Sequence, residues 1–137
     1  MAEKKNEKNQ EDCTGKMNVV GWFEVPVTDM TRAKKFYQAV FNTEFENMDM
    51  NGMHLALFPM LHHAGGAAGA LVQGGDYKPS TDGTVVYFMT DSIETSLKKI
   101  EQNGGKTLLP KMSIGEHGFI AHFKDSEGNK IALHSMK

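Results

Sequence analysis

The chain has 137 residues, of which 39% are apolar and 23% charged, and its 15 basic against 17 acidic side chains leave a net charge of −2. That balance lacks the basic face needed for nucleic acid or an anionic membrane, and a single cysteine, Cys13, excludes an internal disulfide framework. A chain of this size buries roughly two thirds of its unfolded surface, so one domain holds together without a structural metal. No apolar run reaches the ~20 residues of a membrane span, and the amino terminus has no secretory block, so a soluble cytoplasmic protein is expected.

Residues 1–16 carry almost no apolar side chains and are expected to be a disordered tail, with Cys13 an ordinary thiol. The folded domain is expected over 17–137. Residues 19–27 alternate as a strand, with Phe23, Val25 and Val27 on one face and Trp22, Glu24 and Pro26 on the other. A helix over 31–41 buries Ala33, Phe36, Tyr37, Val40 and Phe41. Strands follow over 44–48 and 53–58, joined by the tight turn Asn51-Gly52. A glycine-rich loop carrying His62 and His63 runs to Gly69, a strand covers 70–73, and 74–83 reads as a linker.

The order then repeats: a strand over 84–90, a helix capped by Asp91 with Ile93, Leu97 and Ile100 as its stripe, and strands over 106–109, 119–124 and 130–135. Two modules result, about 19–73 and 84–136. Their third strands align without a gap, GMHLALFP over GFIAHFKD, which sets Leu55 against Ala121 and Leu57 against Phe123. Alternation in the second module turns Val85, Tyr87, Met89, His122, Ala132 and His134 away from its helix. One carboxylate, two imidazoles, a phenol and an indole therefore point to a cleft.

The segments WFEVPVTDMTRAKKFYQAVF, GTVVYFMTDSIETSLKKIEQNGGK and FIAHFKDSEGNKIALHS resemble the glyoxalase, bleomycin-resistance and extradiol-dioxygenase (vicinal oxygen chelate) superfamily. The V-x-D-x-x-R-A-x-x-F-Y opening and the D-x-E-G-N-x-I turn are the most specific parts. The resemblance implies an α+β fold of two βαβββ modules forming a cup-shaped mixed sheet with outer helices, often with a metal at its floor and commonly as a homodimer. The positions it implies for metal ligands fall on Trp22, Val85, Ala132 and the 70–73 strand, where only Gln73 is polar. None completes a ligand set, so neither metal nor other cofactor is expected.

Glu24 with His134 or His122 could then act as an acid/base pair in a metal-independent lyase, isomerase or epimerase, recognise a ligand, or simply satisfy one another. Trp22, Tyr87 and Met89 read as a ligand-binding wall. The leading expectation is a metal-free cup for a small, weakly charged organic molecule; a metal-dependent lactoylglutathione lyase is the weaker alternative. A different metal site through His54, Glu24, His122 and His134 is compatible with strand parity alone.

Overall fold

A computed structural model describes residues 17–61 and 64–137; the tail with Cys13, and His62 and His63, lie outside the described residues. The elements are β1 (Trp22–Pro26), α1 (Met30–Phe41), β2 (Glu46–Met50), β3 (Met53–Leu57), β4 (Ala68–Gln73), β5 (Tyr87–Met89), α2 (Ile93–Gln102), β6 (Lys106–Ser113), β7 (Phe119–Lys124) and β8 (Lys130–Ser135). They make two open four-stranded mixed sheets, ordered β1-β4-β3-β2 and β5-β8-β7-β6, an α+β pair of βαβββ modules. No helix among the described residues is long and apolar enough to cross a membrane.

The alternation read from the sequence sets the layers. Val25, Phe58, Leu71, Phe123 and Leu133 on the two sheets and Phe36, Tyr37 and Ile100 on the helices join one core. Phe23 of β1 meets Phe88 of β5 edge to face at 5.6 Å, so the two edge strands are neighbours across that core. Gly69 permits the β1–β4 pairing, because a Cβ there would stand 2.3 Å from the Phe23 carbonyl oxygen. That requirement puts Ala68 and Gly69 in β4, where a loop was expected.

Other boundaries move for local reasons. The turn residues Asn51 and Gly52 both have positive φ, and this two-residue turn extends β2 to Met50, opposite Met53. β6 continues to Ser113 as the outer strand of its sheet, with the pairing shifted between Thr107 and Leu109 and again between Leu109 and Met112, the stretch that holds Pro110, which has no N–H to donate. β5 has only three ladder residues. The cap of α2 is Ser92 rather than Asp91: its hydroxyl accepts from Thr95 N at 3.2 Å, one residue later than expected.

Register also corrects the internal repeat. Val25 pairs with Leu71 and Phe88 with Leu133, while Leu71 faces Ala56 and Leu133 faces Ala121. Ala56 therefore corresponds to Ala121, Leu57 to His122 and Phe58 to Phe123. The gapless alignment slipped by one residue, and in a strand that exchanges the two faces.

The modules are tied by the turn between β7 and β8. Glu127 Oε1 accepts from Thr28 N and Asp29 N, each at 2.9 Å, and Arg32 Nε donates to Oε2 at 2.7 Å. Buried Asp125 accepts the Tyr37 hydroxyl at 2.6 Å, and Asn129 Nδ2 donates to the Pro26 carbonyl at 2.8 Å. Burial would raise the Glu127 pKa, but the bonds from Arg32, Asp29 and Thr28 outweigh it and hold the group at about 2, against an ordinary 4.5. Desolvation first, then the Asp125 charge, raises the Tyr37 phenol well above 10.0.

Because the folded pKa of Glu127 is depressed, its contribution to stability is complete above about pH 4.5 and fades as pH falls towards 2. Glu127→Ala is expected to cost about 2–3 kcal/mol in urea unfolding at pH 7, since it leaves charge-assisted donors unpaired. That deficit should shrink as the pH is lowered through the same window. Arg32→Ala should cost less, because Thr28 and Asp29 still donate.

Candidate functional site

The candidate site residues lie on the faces turned away from the helices. Register places them in matching rows across the two sheets. In the second sheet Tyr87, Ala132 and His122 are consecutive partners, followed by Met89, His134 and Ile120. In the first sheet the corresponding rows are Glu24, Ala70 and Leu57, then Pro26, Val72 and Leu55. Glu24 and Tyr87 are thus equivalents in the repeat, each beside a fully buried alanine.

That small middle residue shapes the second-sheet row. With only a methyl group at Ala132, the Tyr87 hydroxyl reaches over to His122 Nε2 at 3.3 Å, and the rings meet edge to face with centroids 6.0 Å apart. Burial, and then the positive charge of Lys130, lower the His122 pKa below 6.5, so the imidazole is neutral at pH 7. A neutral imidazole can accept from one partner and donate to another. Tyr87 is 47% exposed and Met89 77%, so this face is open to solvent.

The first sheet is different. Trp22 Nε1 donates to Glu24 Oε2 at 3.3 Å, and the hydroxyl of Tyr77 donates to Glu24 Oε1. Tyr77 belongs to the segment read from the sequence as a linker. It also packs, with Met53, against Leu55, Leu57, Ala70 and Val72. The hydrogen bond to Glu24, then that carboxylate's charge, raise the Tyr77 pKa above 10.0.

The expected Glu24–His134 partnership does not form. His134 Nε2 is bonded to the carbonyl oxygen of His117 at 2.7 Å, whereas Glu24 is engaged by Trp22 and Tyr77. Glu24 instead borders a cavity of about 210 Å³ with Lys78, Val86 and Lys130, which none of Tyr87, His122 and His134 lines. Trp22 borders another, of about 340 Å³, against Pro59, Met60 and Leu61.

The residues do not fit a resident metal at the positions implied by the family. Gln73 Oε1 accepts from Met30 N at 2.9 Å at the start of α1, so its amide is committed on the helix side. Register gives Ala70 as the first-module equivalent of Ala132. Among the described residues no three His, Cys, Asp or Glu side chains converge on a point. His54 does not share a face with His122: it has the parity of Ala56, on the core side, and bonds to Asp49 at 2.6 Å near the hairpin. His54 is therefore not brought together with His122.

With this geometry established, comparison with known proteins gives a consistent result. Residues 19–133 match the family model described as Glyoxalase/Bleomycin resistance protein/Dioxygenase superfamily. The chain is 30% identical over 118 residues to a "Glyoxylase-like domain-containing protein" of Didymella fabae, covering 83% of this chain and 91% of that one. It is 24% identical over 114 residues to "Putative glyoxylase CFP32" of Mycobacterium tuberculosis, covering 82% of this chain and 43% of that protein, so it spans less than half of that relative. The crystal structure of a "glyoxylase/bleomycin resistance protein/dioxygenase domain" from Frankia sp. superposes with a TM-score of 0.68 at 14% identity, over 88% of this chain and 99% of that one.

In an NMR titration His122 should have its midpoint below 6.5. Lys130→Gln is expected to move that midpoint upward, by removing the charge that disfavours the imidazolium. A midpoint that stays put would disprove the Lys130 influence.

Proposed function

Since the chain belongs to the Glyoxalase/Bleomycin resistance protein/Dioxygenase superfamily, we propose that it binds a small organic molecule on the open face of the second sheet, without a resident metal. The observation that carries this reading is the Tyr87–His122 pair beside exposed Met89. It combines a flat aromatic surface, a soft thioether and a neutral donor–acceptor couple, which suits a planar or apolar molecule bearing one or two polar atoms. The imidazole and phenol of this pair offer hydrogen-bonding partners to the ligand's polar atoms.

The same pair gives the second reading, a metal-independent lyase, isomerase or epimerase. His122 is unprotonated at pH 7 and its Nε2 lies within reach of a hydroxyl, so it can take a proton from a carbon or oxygen acid held against Tyr87. Glu24, bonded to Trp22 and Tyr77 on the other sheet, takes no part in this scheme.

Screening planar aromatic compounds with the purified chain tests both readings. Tyr87→Ala and His122→Ala are each expected to weaken the best binder about tenfold or more. Dialysis against a chelator should leave its affinity unchanged; dependence on an added divalent ion would defeat the metal-free reading. Conversion of the bound compound by the untreated chain, lost in His122→Ala and retained in Glu24→Gln, would establish the enzyme in place of the binder.

A further inference from the structure

Two equivalent faces differ in one respect: the middle strands of one are covered by a ring from the connecting segment, and those of the other are only half-buried. On the first sheet Leu55, Leu57, Ala70 and Val72 are all buried, with Tyr77 and Met53 lying on them. On the second, their counterparts Ile120, His122 and His134 are only half-buried, although Ala132 is as buried as Ala70. The covering ring comes from the chain that joins the modules. Gly74 and Gly75 adopt positive φ directly after β4, and Tyr77 N donates to the Gly74 carbonyl at 3.1 Å, so the chain doubles back over the sheet it has just left.

We infer that the open face of the first sheet is a binding site for a phenol, or another small aromatic molecule with a hydroxyl donor, which the side chain of Tyr77 fills from within the chain. The fit has two parts. The aromatic ring rests on an apolar floor made by two leucines, a valine and an alanine. The hydroxyl then meets a carboxylate at the rim, Glu24, whose other oxygen is held by Trp22. A carboxylate accepting from a phenol makes a charge-assisted bond, which selects a donor over a bare hydrocarbon. This inference rests on the reading that the faces opposite the helices take small molecules, but it concerns the other sheet and a different set of residues.

The side chain of tyrosine is p-cresol, so p-cresol is the probe. In calorimetric or NMR titrations of the full chain, Tyr77→Ala is expected to bind p-cresol at least about tenfold more tightly than the wild type, because the vacated apolar place can accept it. Adding Glu24→Gln should remove most of that gain for p-cresol and none of it for toluene. Adding Tyr87→Ala should leave p-cresol binding intact, which separates this site from the face proposed above. Equal p-cresol affinity in the wild type and Tyr77→Ala overturns the inference, as does loss of the gain with Tyr87→Ala. If Tyr77→Ala does not fold, Tyr77→Phe supplies the test: removing the hydroxyl should speed amide exchange at residues 76–78, and unchanged exchange overturns the anchoring by Glu24.

Discussion

One carboxylate joins the start of the first helix to the far end of the second module. Glu127, in the turn between β7 and β8, takes backbone N–H groups from Thr28 and Asp29 and the guanidinium of Arg32. It thereby holds, from the other module, the two residues that lead into the first helix, whose own cap is Asp29. Asp125 and Asn129 in the same turn hold Tyr37 and the end of β1. The opening motif and the closing turn, which carry the most specific part of the family resemblance, are therefore each other's partners. Their residue types serve the joint between modules, and the chemistry is left to other side chains.

Strand parity was readable because one face of each sheet enters a shared apolar core. Phe23 and Val25, or Ala121 and Phe123, had to point inward for that core to exist. Register was not readable in the same way. A leading glycine in each, Gly52 and Gly118, and alternating apolar residues behind it let the two third strands be aligned one residue out, and only the ladder partners of Ala56 and Ala121 decide it. The pairing of Glu24 with His134 failed for a related reason: parity gives a face but no neighbour, and both groups found other partners, one of them the His117 main chain. The bond from Met30 to Gln73 was not foreseen, because an amide that satisfies a helix start leaves no periodic mark.

Tyr77 was missed altogether. Glycine, proline, serine and aspartate dominate its segment and read as a connection, and they outweighed the single aromatic residue there. An aromatic side chain in such a stretch is a usable signal, because a ring has little reason to stand in water when an apolar sheet face lies within reach. The contrast between the sheets follows from this one residue. Duplicated modules supply two similar surfaces, and a short connection makes them unequal.

The joint at Glu127 also bears on how the chain reaches its fold. Its bonds to Thr28 and Asp29 span 99 and 98 residues, and that from Asn129 to Pro26 spans 103. A helix start that is completed only by a turn so far along the chain gives a high contact order, and the cost of closing that loop precedes its reward. The first module thus stays incomplete until the β7–β8 turn has formed. Two halves that look like independent copies share a joint that neither completes alone.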